Sequence, residues 1–449
     1  MQVGPGGGSS FRSERYAWFV VFILSLGNIV SSIDRQIINL LVEPIKADMA
    51  LSDTRISLLQ GFAFALLYAG MSVPLGRLAD SSNRTRIIAG GMLLWSLATA
   101  FCGTAKTFWH LFAARTMVGV GEATLTPAGY SIIADYFPRQ RLARAISVFT
   151  GSSFLGTGVA LLGGGLLIGW LTTLGPQHWP VVGDVKPWQM AFMIAAGPGL
   201  VLSFIVLGLR EPPRREAEGG VVKTDSASAT ETIAFIRANW GVLGTIYVGF
   251  SILASVQFGL GAWIPSFFIR VHGYSPAEIG VAYGTLVTIL ASAGTAFGGF
   301  LCDWLWQRGY SDANLRVALI AAIPTIPLVA IFPWMSDPVT ALWIIGPACF
   351  VGAMPFGAGT AAIPIIAPNR MRAQLIAIYL LVANLLGPGL GPFLIALTTD
   401  FVFGDDAMVG RSIVLVCPIL VMIGAAVLLA GFKSFRLTVE RATGATPRG

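Results

Sequence analysis

Apolar stretches of roughly 20 residues, enough for a helix to cross the hydrocarbon of a bilayer, recur along this 449-residue chain and restrict its fold more than any other feature. Inside lipid the backbone must satisfy its own polar groups, so such stretches can span only as helices or as strands of a closed barrel. Their length and continuity read as helices, and only 11% of the residues are Asp, Glu, Lys or Arg. A water-soluble chain carries about 25%.

Reading apolar runs against breakers predicts helices over 16–43, 54–79, 86–105, 108–135, 142–171, 188–210, 240–269, 276–302, 314–333, 339–366, 372–399 and 410–432. The expected fold is an all-α polytopic membrane protein of twelve transmembrane helices in two pseudo-symmetric six-helix bundles. An even count puts both termini on one side. Of the 29 Lys and Arg residues, 21 fall in the tails and loops of that side, six lie opposite, and Arg35 and Arg115 lie inside spans. That bias predicts cytoplasmic termini. It also accounts for the net charge of +7 without a nucleic-acid partner, because the basic residues punctuate the apolar runs instead of forming one patch.

The division expected is an N-terminal tail (1–15), a first bundle (16–210), a cytoplasmic linker (211–239), a second bundle (240–432) and a C-terminal tail (433–449). The linker includes a possible surface helix over Thr230 to Ala238. The first fifteen residues lack the apolar core of a cleavable signal, so the first helix is expected to stay. Cys102, Cys302, Cys349 and Cys417 have no metal-ligand spacing, which leaves no support for a disulfide framework or a zinc site. His110, His178 and His272 fall at or near loops. No nucleophile elbow or GxxxxGK loop is present, so neither an enzyme nor a cofactor is expected.

The halves read as repeats. GRLAD at Gly76–Asp80 returns as GFLCD at Gly299–Asp303, and PRQRLARA from Pro138 returns as PNRMRAQL from Pro368. Gly156 and Gly158 are answered by Gly387 and Gly389. Many secondary transporters are built from such repeats, with the substrate at their interface.

GRLADSSNRTR, with Gly76, Asp80 and Arg84, and RTMVGVGEA, with Arg115, Gly119 and Gly121, resemble the major facilitator superfamily over essentially the whole chain. Asn83 stands where that family commonly has Gly, Thr85 where a base is common, and GTGVALLGGG lacks the Gly-Pro pair of many antiporters. SSIDRQI, GVGEATLTPAGYSIIADYFP and RLARAISVF together look like the spinster family, including its bacterial members. That resemblance implies an inner (plasma) membrane protein and a substrate of the sphingosine 1-phosphate or lysophospholipid class.

Intramembrane charges cost a few kcal/mol and mark functional sites by default. Asp34, Arg35, Arg115 and Glu122 are the candidates. Arg115 and Glu122 are two turns apart on one face of the fourth helix, whereas Asp34 and Arg35 are about 100° apart on the first. The superfamily arrangement brings those helices to a central cavity. The functional reading makes Arg35 the anchor for an anionic head group, Glu122 or Asp34 the proton acceptor, and Arg115 an orienting residue. A purely structural salt-bridge network joining helices 1 and 4 is the alternative. The second half has no charged counterpart and offers Phe258, Trp263, Met354 and Phe356 as an apolar wall for a tail, or as packing residues. Asp80, Arg84, Arg141 and Arg144, echoed by Asp303, are the expected cytoplasmic gate. The whole suggests a monomeric carrier of anionic lysolipid-like amphiphiles among membrane lipids, coupled to protons. Its rivals are an exporter of drugs or small organic anions and a passive channel or scramblase.

Overall fold

The structure is a computed structural model that describes residues 14–180, 183–214, 228–368 and 370–443. Its first half comprises α1 (Glu14–Leu40), α2 (residues 53–81), α3 (Arg84–Cys102), α4 (residues 108–136), α5 (Arg139–Leu174) and α6 (Pro187–Leu207). The second comprises α7 (Trp240–His272), α8 (Pro276–Gln307), α9 (Ala313–Trp334), α10 (Pro338–Ile366), α11 (residues 372–403) and α12 (Val409–Thr443). Among the described residues, ten helices are long and apolar enough to cross a membrane; α2 and α4 complete the twelve. Between α5 and α6 a small antiparallel hairpin pairs Gln177–Trp179 with Gly183–Val185.

Local chemistry sets the helix starts. Ser52, Asn83, Thr107, Ser275 and Asp337 each accept a backbone N–H from the first turn of α2, α3, α4, α8 and α10, satisfying donors that have no partner within the helix. Pro187, Pro276 and Pro338 occupy early positions where a missing N–H costs nothing.

Most boundaries shift by a few residues from the sequence reading, and α8 runs on from 302 to Gln307; two of the shifts have a local cause. The first helix stops at Leu40, and Val42–Met49 forms a separate short helix. Pro44 has no N–H to donate to the Leu40 carbonyl, and its ring would strike that oxygen. At the other end, α12 continues to Thr443, so residues 433–443, read as tail, are helical. Apolarity falls there, but Phe435 and Val439, one turn apart, are fully buried and keep the helix on the bundle. The linker's surface helix spans Ala229–Ala238, begun by a Ser228–Glu231 capping box.

The halves repeat one packing scheme: α1 lies on α5 as α7 lies on α11, α3 on α6 as α9 on α12, and α2 on α4 as α8 on α10. They meet along two seams, α5–α8 and α2–α11. Both are close enough to exclude a Cβ: Gly61 abuts the Pro388 carbonyl, Gly158 abuts Thr288, and Gly165 faces Gly280. Small residues allow such backbone approach where lipid gives no hydrophobic drive for association. Single π-helical turns interrupt α2 (Leu58–Phe62), α7 (Thr245–Gly249) and α8 (Val287–Ala291), and one ends α11 (Thr399–Phe403).

The start of α1 and the linker share one end of the bundle, where the Tyr16 hydroxyl accepts the Arg210 N–H at 3.0 Å and the Tyr136 hydroxyl donates to the Arg210 carbonyl at 2.6 Å. This is the linker end. The α1–α2, α7–α8 and α11–α12 connections form the far end.

Candidate functional site

Between the halves lies a cavity of about 290 Å³. One wall comes from α1, α2 and α5, the other from α7, α8, α10 and α11. Arg35 is the charged side chain on its lining, and it is 31% exposed, so its guanidinium faces the cavity while keeping a protein partner. Its Nε lies 3.4 Å from Glu122 Oε2, and its guanidinium carbon stands 5.7 Å from the centre of the Phe64 ring. Glu122 sits behind the lining, almost wholly buried, and the Ser31 hydroxyl donates to its Oε2 at 2.6 Å. Glu122 ends the first segment of α4, just before a turn at Ala123–Thr124.

Asp34 and Arg35 diverge. Asp34 is fully buried within the first half, near Thr99, and does not line the cavity. Arg115, also fully buried, donates from Nη1 to the Asp34 backbone carbonyl at 2.6 Å and so fixes this turn of α1. Neither Asp34 carboxyl oxygen accepts a hydrogen bond among the described residues; Glu122 Oε1 likewise has no donor, and Arg115 Nε and Nη2 have no acceptor. Each buried polar group left so costs about 1–3 kcal/mol.

Amides surround the rest of the polar surface. Asn39 donates to Gln36 at 2.8 Å, and Gln60 donates to Asn39 at 3.1 Å and to the Ala262 carbonyl of the opposite half at 3.3 Å. Gln257 and Asn384 add amides from the second half. Sequence reasoning passed over all five because an uncharged polar residue in an apolar run gives no signal of its own. Of the four residues expected to form the apolar wall, Phe258 and Phe356 line the cavity and meet edge-on, with ring centres 6.3 Å apart. Trp263 and Met354 are buried in the second half instead. The Trp263 indole N–H is spent on the Pro392 carbonyl at 2.9 Å.

At the linker end Arg84, Arg141 and Arg144 make contacts within the first half and its linker. Arg84 holds Asp135 at 2.5 Å and Glu211 at 2.6 Å, binding α3 to α4 and to the linker. Arg141 pairs with Glu14, and Arg144 lies 5.7 Å over Trp18. Asp303 is exposed, and the side chain of Asp80 lies outside the described residues.

The far end is where ion pairs join the halves. Arg270, from the end of α7, contacts Asp53 at 2.6 Å and Glu43 at 2.7 Å. Lys46 reaches Asp53 at 2.6 Å and also pairs with Asp406. Burial pushes the Asp53 carboxyl up, but Arg270 and Lys46 outweigh it and hold the group below the ordinary carboxylate range. Asp53, Asp400 and Asp406 lie close enough together to suggest a cation site, but Arg270 and Lys46 supply the positive charge there. The count of Lys and Arg puts Lys46 and Arg270 on the side opposite the termini but links neither to an acid, since up to 360 residues separate the partners.

Residues 24–392 match the Major Facilitator Superfamily. The chain is similar to an MFS-type efflux pump of Mycolicibacterium smegmatis, 27% identical over 428 residues and covering 92% of each. It is similar to Protein spinster of Drosophila melanogaster, 24% identical over 400 residues, 86% of this chain and 62% of that one. A crystal structure of a bacterial homolog of the human lysosomal transporter spinster, inward-facing and unoccupied, superimposes with a TM-score of 0.78. It is 26% identical, and the match covers 97% of this chain and 100% of that one.

Proposed function

Starting from a chain that belongs to the Major Facilitator Superfamily and is a transporter of spinster type, we propose that it moves an anionic, single-tailed amphiphile by alternating access, with a proton as the coupled ion. One observation carries this reading: among the described residues a single guanidinium faces a cavity lined otherwise by uncharged side chains, and its opposite wall presents Phe258 and Phe356. A guanidinium suits phosphate or carboxylate through paired donors, and an apolar wall suits a tail.

Glu122 is the protein's own counter-charge to Arg35. An incoming anion competes with it for the guanidinium, and a proton on Glu122 removes that competition. Binding of the anion and protonation of Glu122 therefore favour each other, which is the linkage a proton-coupled carrier needs. Asp34, buried behind Arg35, is the second candidate for the proton, and Arg115 positions it through the backbone. The proposed setting is an inner (plasma) membrane with the linker end cytoplasmic, as the distribution of Lys and Arg favours. The far-end ion pairs then close the outer side, in keeping with the inward-facing form of the similar structure.

A second reading is export of drugs or small organic anions. It is favoured by the similarity to an efflux pump and by the cavity amides, which suit a hydroxylated solute as readily as a head group. A thermal-shift screen of lysophospholipids, sphingoid phosphates and tail-free anions, on the wild type and Arg35→Ala, decides between them. Stabilisation by the tailed anions alone, lost with Arg35, supports the amphiphile. Stabilisation by tail-free anions that lipids cannot displace sinks it.

A further inference from the structure

A second, apolar hollow of about 610 Å³ lies on the outer flank of the second half, between α8 and α10. Ala282, Leu286 and Leu290 of α8 face Leu342, Gly346 and Phe350 of α10 across it, and Trp343 at its rim is 76% exposed. These are the same two helices that wall the central cavity: Tyr283, Val287 and Ala291 of α8 and Cys349 and Ala353 of α10 line it from within. The partition between cavity and hollow is therefore only the two sides of one helix pair. On the cavity side Tyr283 and Cys349 meet across it, and on the flank Gly346 brings α10 close to Leu290.

The partition is unevenly built. Farther along, Gly294 against the Phe350 backbone and Gly298 against that of Met354 leave no room for a Cβ, so the helices are locked there. Beside the hollow, α8 has its π-helical turn, Val287–Ala291. Such turns interrupt the regular hydrogen-bond ladder and often occur at functional sites. Helices locked at one level and irregular at the next can part at the second while holding at the first.

We propose that the α8–α10 seam is a lateral portal for an aliphatic chain: the head group stays at Arg35, and the distal tail passes between Tyr283 and Cys349 into the hollow. This rests on the amphiphile reading above. The occupant is an alkyl chain because the hollow is lined by apolar side chains, sits within the membrane-spanning length of α8 and α10, and is continuous with the cavity wall. A polar ligand would find no partner there.

The test compares binding of butyl phosphate and dodecyl phosphate to the wild type and to Ala282→Trp, which fills the hollow from a position off the cavity lining; Val351→Phe serves as a second filling variant. Each buried methylene strengthens binding about fourfold. The expected result is that butyl phosphate binds wild type and variants within about twofold, showing an intact fold and Arg35 site, while the advantage of dodecyl phosphate falls by more than about tenfold, as loss of two buried methylenes would give. An undiminished chain-length advantage in both filled variants overturns the portal and leaves the amphiphile reading standing. If wild type binds butyl phosphate but gains nothing from the longer chain, the amphiphile reading fails and takes the portal with it.

Discussion

Asp400, in the last turn of α11 in the second half, accepts a 2.7 Å hydrogen bond from the backbone N–H of Thr54, in the first turn of α2 in the first half. The same carboxylate takes the Asp53 N–H at 3.2 Å. One half thus caps a helix of the other, where the helix N-terminus attracts negative charge. With Arg270 gripping Asp53 and Glu43, this makes the far end a bolted closure, and opening it must break several charge-assisted bonds together.

Arg270→Ala is expected to weaken that closure most, because of the two cations on the buried Asp53 carboxylate, Arg270 and Lys46, it removes the one that comes from the other half. Breaking a buried pair from one side costs about 3–5 kcal/mol. Reaction of an introduced Asn39→Cys with a membrane-impermeant maleimide added at the far end should rise severalfold over the same cysteine with Arg270 intact. Unchanged labelling would show that the latch does not hold the halves.

The latch also sets a pH dependence. The Asp53 carboxyl is held below its ordinary value, so its contribution is fully present above the ordinary carboxylate range, about pH 3.9, and is lost as pH falls through the lowered value. Asp53→Asn should therefore melt below wild type at neutral pH, and the two curves should converge in acid. A gap that does not narrow as pH falls below the ordinary carboxylate range would mean that Asp53 acts by packing rather than by charge.

At the cavity, Arg35→Lys keeps the charge but loses the planar fork. Binding of a phosphate-headed ligand should weaken by about tenfold or more, with Arg35→Ala weaker still. Isothermal titration with an alkyl phosphate reads this directly. Equal affinity in wild type and Arg35→Ala removes Arg35 from the site.

Glu122→Gln removes a counter-charge without changing shape. Ligand binding should be retained, while uptake into proteoliposomes should lose its response to an imposed pH gradient. Ser31→Ala, which deletes the 2.6 Å bond to Glu122, should cost about 1–3 kcal/mol of stability and leave coupling in place. If Asp34→Asn abolishes the pH response and Glu122→Gln keeps it, the proton belongs on Asp34.

Gly61 should tolerate no side chain, because the Pro388 carbonyl occupies the space of a Cβ. Gly61→Val should force α2 from α11, at about 1–3 kcal/mol or more. A drop in melting temperature that Gly70→Val does not share would locate the effect in the seam, since Gly70 has open space around it.

The architecture was legible because bilayer thickness imposes one length on every span and the breakers mark the gaps. What escaped was whatever depends on distant partners. Lys46 and Asp406 are ordinary loop charges in the sequence and become an ion pair only once the halves meet. Trp263 and Met354 directly follow the lining residues Ala262 and Ala353, and that one residue of helical phase separates a lining position from a buried one. Arg35, Glu122, Asp34 and Arg115 stood out because charge is scarce in the spans. Which of them faces the cavity needed the rotation of α1.

The four π-helical turns have a further consequence for how this chain can change. Each holds one residue more than a regular turn would, so deleting a residue inside Val287–Ala291 would turn the bulge back into a regular turn and leave the two segments of α8 aimed as they are, whereas the same deletion in a regular stretch would turn one segment against the other by roughly 100°. The face that presents Gly294 to Phe350 would stay on it. Single-residue deletions in these turns are therefore changes that the helix faces absorb, and they offer a means of removing an irregularity without disturbing the contacts on either side of it.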